Sequence, residues 1–404
     1  MRYSNKVVVF CWVLILCLVL AGSEKSPAQS KNNKKENPSV ETSNNKQWAP
    51  EKWETVKVTE VLRVAYLPAT HDTLLFIALQ EQFFVSYGLR VEMRSYANSP
   101  KALAALESGE VDIAIPGIAA PLYRIAAGAP LRIVGGEAWY SAGIVAKRDL
   151  MPKEGAKDKA LLEPFKGKRI ATITQSTGDA ILRGKVMEYG LNGEIDIRTY
   201  STPAKVENAL LAGEVDAAML WSPYMSLIEK KDEQMTVVVW AGQLIDHPCC
   251  RQVTTVNTQN DKREALIRYM SGIIMAKEFM SDTQNAVKVL ADVKQYISNI
   301  PDDILKKELF VIDNYLGKKR TELSPNNSPK EINDYAKMMI DSKLISSKSA
   351  PRIEKSVDTD ILTEAYMRVY PSLTKEVAEA CAKSGLLSHE SIRKLNPHLG
   401  GSGQ

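Results

Sequence analysis

Residues 87–114 read YGLRVEMRSYANSPKALAALESGEVDIA, and residues 189–218 read YGLNGEIDIRTYSTPAKVENALLAGEVDAA. The shared skeleton is Tyr-Gly-Leu, then Arg-Ser/Thr-Tyr, then a proline-started helix, then Gly-Glu-Val-Asp and small apolar residues. The likeness reaches further back, since Arg63-Val64-Ala65 opens the first copy and Arg169-Ile170-Ala171 the second. A chain that carries this phrase twice is expected to fold into two similar α/β units. Two such lobes in one chain suggest a clamp that closes on a small molecule.

Each copy alternates strand and helix. In the first, an apolar strand at 61–66 is followed by the loop 67–72, a helix over 73–86 stopped by Gly88, and a strand over 89–96. Ser99 with Pro100 then reads as a helix start, Gly109 as its stop, and 111–115 as a short buried strand. The second copy repeats the order: strand 168–173, turn and cap 175–178, helix 179–189, strand 195–200, a helix started by Thr202-Pro203 and stopped by Gly213, and strand 215–220. Strand–helix–strand alternation predicts mainly parallel sheets with helices on both faces. After the apolar run 237–240, a strand at 253–256 is expected to return toward the first lobe. Helical periodicity follows over 263–315, 330–345 and 359–395, with Ser/Pro-rich breaks at 324–329 and 346–351.

Composition excludes several function classes. With 52 Lys+Arg against 48 Asp+Glu, the charge is balanced and spread along the chain, so nothing points to nucleic acid. Arg2 and Lys6 precede an uncharged apolar run from Val7 to Ala21, shorter than the roughly 20 residues of a bilayer span and suited to a signal peptide. Leu20-Ala21-Gly22-Ser23 resembles a bacterial lipoprotein box with Ser in place of the lipidated Cys. An exported location, periplasmic or membrane-associated on the outer side, is therefore expected. Residues 24–55 are polar and poor in large apolar side chains, as in a flexible tether. Beyond the export segment stand Cys249, Cys250 and Cys381, an odd number that argues against a disulfide-stapled fold.

In open α/β sheets ligands sit outside the carboxyl ends of the strands. That rule selects four segments, pairwise equivalent through the repeat: 66–71, 116–119, 174–178 and 221–224. Their candidate ligand contacts are Pro68, Thr70 and His71; Pro116, Gly117, Ile118 and Ala119; Ser176, Thr177 and Gly178; and Trp221 with Tyr224. The loops 70–73 and 176–179 each open a helix, where free N–H groups and the helix dipole favour an anion; the competing reading is plain N-capping. Trp139, Tyr140, Trp221 and Tyr224 are aromatic residues at strand ends that either stack on a ligand or pack at the hinge. His247 is a hinge residue and a further candidate contact. Together, His247-Pro248-Cys249-Cys250 lacks a second cluster to complete four-coordination, so no metal and no cofactor is expected. There is no GxSxG, P-loop or HExxH, and the chain is read as a non-enzyme.

These residues resemble a family. Arg63-Val64-Ala65-Tyr66-Leu67-Pro68, Phe83-Phe84 near Tyr87-Gly88-Leu89, Ala105 to Asp112, Ala127 to Val134, Phe165 to Ala171, Trp221-Ser222-Pro223-Tyr224 and His247 to Cys250 are similar to the type II periplasmic solute-binding proteins of ABC importers. The branch is the one that takes nitrate, sulfonates, taurine, bicarbonate or thiamine pyrimidine precursors, and the likeness covers roughly 60–345. The resemblance implies two α/β lobes joined by two crossovers around a ligand cleft. It also implies a small-molecule solute and delivery to a membrane ABC permease, without fixing the solute. The anion-friendly helix starts favour an oxyanion or sulfonate, the aromatic residues leave an aromatic or heterocyclic solute open, and the chain is expected to act as a monomer. Two other readings stand beside it: a membrane-tethered sensory module, and an enzyme on the same fold related to thiamine-precursor biosynthesis. The expected divisions are 1–28 signal peptide or uncleaved anchor, 29–58 linker, 59–150 first lobe, 151–245 second lobe, 246–345 return to the first lobe with helices, and 346–404 C-terminal helical extension.

Overall fold

The computed structural model describes residues 57–313 and 317–384, so the expected export segment, the tether through residue 56 and the final stretch lie outside the described residues. Two five-stranded sheets organise the chain. The first takes β1 (Glu60–Tyr66), β2 (Leu89–Ser95), β3 (Ile113–Ala114) and β4 (Leu131–Gly136). A two-residue strand, β5 (Ala138–Trp139), marks the passage out. The second sheet takes β6 (Ala142–Lys147), β7 (Arg169–Ile173), β8 (Asp196–Tyr200), β9 (Ala217–Trp221) and β10 (Met235–Trp240). The chain then returns as β11 (Arg251–Thr255) to lie between β3 and β4, so the first sheet runs β2-β1-β3-β11-β4 and the second β10-β6-β9-β7-β8. The expected return strand is therefore present. The passage between sheets falls at residues 140–141 rather than near 150, because β6 already pairs with β9 and β10.

Each sheet is mainly parallel, as expected, with one strand reversed. The duplicated cores β2-β1-β3 and β8-β7-β9 are parallel, while β11 and β6, the first strands after the two passages, enter antiparallel. Short β12 (Ile312–Asp313) and β13 (Lys318–Lys319) pair with each other, and β14 (Glu322–Leu323) pairs with β5.

The repeat has a physical counterpart in both sheets. Arg63 donates from its backbone N and Nε to Asp112 Oδ2 at 2.9 and 3.1 Å, and from Nη2 to Oδ1 at 2.9 Å. Arg169 makes the same three bonds to Asp216, at 2.8, 2.9 and 3.0 Å. The Asp of Gly-Glu-Val-Asp thus receives the fork of the Arg that opens each first strand, a charge-assisted bidentate pair that sets the third strand beside the first. Just upstream, the helices Ser99–Glu107 and Pro203–Leu211 end in identical caps: Gly109 N bonds Leu106 O and Glu110 N bonds Ala105 O, while Gly213 N bonds Leu210 O and Glu214 N bonds Ala209 O. This Schellman geometry needs a left-handed residue, and Gly109 and Gly213 supply it at φ of +75° and +72°.

Several element boundaries depart from expectation. The helix expected over 73–86 is two, Thr73–Gln80 and Phe83–Ser86, broken where Gln82 turns left-handed at φ 58°. The break expected at 346–351 contains the start of a helix, Ala350–Ser356, because Pro351 sits in its first turn, where a missing N–H costs nothing.

The C-terminal helix Pro329–Asp341 joins the sheets in a way the two expected crossovers do not. Just before it, Asn327 Nδ2 donates to Ile133 O of β4 at 2.8 Å. Two turns in, the fully buried Tyr335 donates from its hydroxyl to Thr177 O at 2.9 Å, at the start of the second-lobe helix Thr177–Glu188. Ile332, Tyr335 and Met339 belong to the same apolar core as Ala65 of β1 and Met219 of β9. Among the described residues no helix is long and apolar enough to cross a membrane.

The Arg169 hydrogen bonds hold the Asp216 carboxyl at about 2, below its ordinary 3.8. Its stabilising contribution is full above the ordinary value and is lost as pH falls through about 2. Asp216→Asn is expected to lower the urea midpoint at neutral pH, with the gap to the parent narrowing as pH falls from about 4 toward about 2. A gap independent of pH would show that the ionised pair contributes nothing.

Candidate functional site

The carboxyl ends of β1, β3, β7 and β9 meet around one small cavity. Leu67 and His71 follow β1, Gly117 follows β3, Ser176, Thr177 and Gly178 follow β7, and Trp221 ends β9; Ser99, Ala142, Cys249 and Cys250 complete the lining. The open space is about 30 Å³, room for one or two water molecules. A larger groove of about 380 Å³, lined by Gly184, Met187 and Met338 among others, lies between helix Thr177–Glu188 and helix Pro329–Asp341 and includes none of the strand-end residues. The two lobes touch at the cavity, for a Cβ built on Gly117 would lie 2.6 Å from Thr177 Oγ1.

No Lys, Arg, Asp or Glu lines this cavity. What it presents is a set of buried polar atoms without hydrogen-bond partners among the described residues: Thr177 Oγ1, Trp221 Nε1 and both ring nitrogens of His71, whose Nε2 lies 3.7 Å from Asp72 Oδ2. Burial drives the His71 pKa down to about 4, so the ring is neutral near pH 7 and offers one donor and one acceptor. Buried polar groups without partners are costly, and their convergence on one space marks a place where a ligand supplies the missing bonds.

The two helix starts differ. At the second, Ser176 caps its own helix by accepting from Asp179 N at 3.1 Å, and Asp179 Oδ2 accepts from Gln175 N at 3.2 Å. Helix geometry leaves the amides of Thr177 and Gly178, in the first turn, pointing out toward the cavity end. At the first, the expected anion site is already filled from within: Glu137 Oε1 accepts from Leu74 N and Leu75 N at 3.1 and 3.3 Å. Its Oε2 accepts from Gln252 Nε2 at 2.7 Å, and Tyr269 in turn donates to Gln252 Oε1. The reading of 70–73 as a free anion site is thus corrected, because the Glu137 carboxyl group of the chain itself occupies it. Burial pushes Glu137 up to about 8, and Asp72 beside it, accepting from Leu67 N at 2.9 Å, is pushed well up by burial and by Glu137.

The candidate contacts therefore separate. His71, Gly117, Ser176, Thr177, Gly178 and Trp221 share the cavity. Pro68 is exposed and faces elsewhere. Thr70 bonds Thr321 through their hydroxyls at 3.0 Å, Pro116 O accepts from Arg251 N, Ile118 N donates to Cys249 O, and Ala119 starts a buried helix, so these four build the wall behind the lining. Trp139 lies under the Arg251 guanidinium, 4.5 Å from its ring centre. Tyr140 donates its hydroxyl to Asp246 and meets the His247 ring edge-on at 5.6 Å, and His247 Nδ1 lies 2.9 Å from Ile245 O. Tyr224 packs edge-on against Trp221 at 5.9 Å. Trp139, Tyr140, Tyr224 and His247 are thus hinge and wall residues, the packing alternative of the two considered.

A family model for the NMT1-like family matches residues 56–293. The chain belongs to the NMT1-like family. An Escherichia coli K12 relative, provisionally named as an aliphatic sulfonates-binding protein, is 29% identical over 137 residues, which is 34% of this chain and 41% of that one. The match thus spans less than half of that relative's length. Among solved structures, the alkanesulfonate-binding protein SsuA from Xanthomonas axonopodis pv. citri bound to MOPS aligns with a TM-score of 0.60 at 20% identity, covering 74% of this chain and 98% of that one. The nitrate-binding protein NrtA from Synechocystis PCC 6803 aligns with a TM-score of 0.66 at 14% identity, covering 80% and 92%. At such identities these neighbours establish the periplasmic binding protein fold.

Sequence reasoning missed five lining residues of this NMT1-like chain: Leu67, Ser99, Ala142, Cys249 and Cys250. Ser99 was expected to cap its helix, but Asn98 does so, accepting from Lys101 N at 3.0 Å. The one-residue slip frees the Ser99 hydroxyl to accept from Gly117 N at 3.1 Å. The repeat did not signal this, because the counterpart Ser201-Thr202-Pro203 also has two capping residues before its proline and uses the second, Thr202, as its cap.

Two outcomes are expected. Gly117→Ala puts a methyl against Thr177 and should hold the lobes apart; small-angle scattering should show a larger radius of gyration at unchanged melting temperature, and an unchanged radius would show that the contact yields. Glu137→Ala leaves three buried donors unpaired and should cost about 3 kcal/mol or more in urea unfolding; a loss under about 1 kcal/mol would mean water replaces the carboxyl group.

Proposed function

We propose that this chain is an extracytoplasmic solute-binding receptor of an ABC-type importer, which captures a small oxyanion or sulfonate-like solute by clamp closure and delivers it to a membrane permease. The observation that carries the reading is the buried, charge-free cavity at the strand ends of both duplicated units, edged by donors without partners. An anion needs no fixed cation there. The start of helix Thr177–Glu188, the Thr177 hydroxyl and the Trp221 indole N–H supply dipoles and donors, which stabilise negative charge well in a dry site. The sulfonate- and nitrate-binding neighbours support the same class of solute.

Contacts come from both lobes, so a solute binds the closed form better than the open one and shifts the population toward it. The closed form is then the one a permease reads. Neither the sensory nor the enzymatic reading has an observation in its favour. The His71 nitrogens, without hydrogen-bond partners among the described residues, face a cavity that holds no nucleophile other than the two thiols of Cys249 and Cys250.

Calorimetry with nitrate and methanesulfonate tests this. The parent should bind at least one of them, and Trp221→Phe, which keeps the ring and removes the N–H, should weaken that binding roughly tenfold or more, the worth of a hydrogen bond to a charged group. Binding of neither anion would overturn the oxyanion assignment, and an unchanged affinity would remove Trp221 from the contacts.

A further inference from the structure

Two thiols face the cavity and the solute-binding reading gives them no task. Cys249 and Cys250 are 4% and 2% exposed, and both line the space. Their Sγ atoms are 3.7 Å apart, and Ser141 Oγ lies 3.1 Å from Cys249 Sγ. None of the three cysteines among the described residues is in a disulfide. Cys381 sits in the helix Lys375–Ser384, outside the cavity, and burial raises its thiol to about 11, which makes it a poor nucleophile. Contact with Cys250 and with the Ser141 hydroxyl instead lowers the thiol of Cys249.

The backbone of this pair holds the first-lobe wall of the cavity. Cys249 O accepts from Ile118 N at 2.7 Å, and Cys250 bridges to Gly117. The amides of Cys249 and Cys250 both donate to Ala138 O, at 3.0 and 3.2 Å, and Cys250 O accepts from Glu137 N and Ala138 N at 3.1 and 3.3 Å. Whatever displaces these two residues displaces Gly117, the point where the lobes touch.

We propose that Cys249 and Cys250 are a thiol-modification site inside the solute cleft, which takes low-molecular-weight disulfides and, once oxidised, abolishes solute capture. The Cys249 thiolate attacks one sulfur of a disulfide RSSR, forming a mixed disulfide and releasing RS⁻, which takes up the proton that Cys249 gave to solvent. Cys250, deprotonated in turn, attacks Cys249 Sγ and expels the second RSH. The net exchange oxidises two thiols to one disulfide and reduces RSSR to two RSH. Adjacent Cα atoms lie about 3.8 Å apart, closer than the roughly 4.4–6.8 Å of an unstrained disulfide. The ring therefore forces the peptide out of its present course, breaks the bonds to Ile118 and Ala138, and gives a strained link that reducing agents reopen readily. Entry of the reagent requires the lobes to part, so a bound solute protects the thiols.

The effect on capture rests on the receptor reading, and the chemistry does not, so the test has two arms. The full chain is treated with glutathione disulfide, digested without reduction and mapped by mass spectrometry. The expected result is a Cys249–Cys250 link, or a glutathione adduct on Cys249, reversed by dithiothreitol, with Cys381 still a thiol; Cys250→Ser should stop at the adduct and Cys249→Ser should give neither. No change at either residue in the parent, or reaction at Cys381 instead, overturns the site, and this arm needs no variant to fold. In the second arm, whichever of nitrate and methanesulfonate binds the reduced protein should bind the oxidised protein at least tenfold more weakly and should slow the oxidation. Undiminished affinity after complete oxidation overturns the link to capture. Failure of the reduced protein to bind either anion tells against the receptor reading and leaves the mapping arm to decide the modification site.

Discussion

The two passages between the sheets are hydrogen-bonded to each other, and the two-lobed arrangement rests on that node. Ala138 O, on the way out, receives the amides of Cys249 and Cys250 on the way back, and Cys250 O receives the amides of Glu137 and Ala138. Ser222 N at the end of β9 donates to Ser141 O, and Arg251 N donates to Pro116 O after β3. Two lone strands between lobes would leave their N–H and C=O groups to water. Paired, they form a short ribbon that satisfies its own polar groups and holds the ends of β3 and β9 near one another. The cavity exists because those ends cannot drift apart freely.

That node also explains the division of labour around the cavity. Trp139, Tyr140 and His247 stiffen the ribbon from one side, through the Arg251 guanidinium over the Trp139 ring and the Tyr140 bond to Asp246. Glu137 stiffens it from the other, by holding the start of helix Thr73–Gln80 and the Gln252 amide. What remains facing inward is uncharged. A cleft that recognises a solute by dipoles alone discriminates by shape and by the number of acceptors offered, since each unmatched donor is a buried cost.

Much of this was legible in the residues. The duplicated phrase marks its own strands, while the pairing of its two repeated ends, Arg63 with Asp112 and Arg169 with Asp216, came only with the structure. The strand-end rule found His71, Gly117, Ser176, Thr177, Gly178 and Trp221 because sheet topology alone places them. Residues that act across long separations were not legible. Glu137 caps a helix more than sixty positions earlier, with |i−j| of 63 to Leu74, and no local pattern announces such a partner. Cys249 and Cys250 were visible as a motif, but their place in the cavity depends on the register of β11. The aromatic residues at 139, 140 and 224 satisfied the strand-end rule, yet 139 and 140 went to the hinge and 224 to the wall behind Trp221, because the rule fixes position along the strand and not the direction of the side chain.

The helix Pro329–Asp341 changes what kind of joint this is. A pair of lobes held by a two-stranded ribbon can bend about the ribbon and also twist around it. A third attachment runs from the Asn327 bond on β4 to the Tyr335 bond on Thr177. Any motion of one lobe against the other has to carry this attachment along with the ribbon, so it restrains the twist more than the ribbon alone would. The same attachment ends on the carbonyl of a cavity residue, so the bend and the position of the Thr177 hydroxyl are one variable, read out at the far end of the chain from where the fold begins.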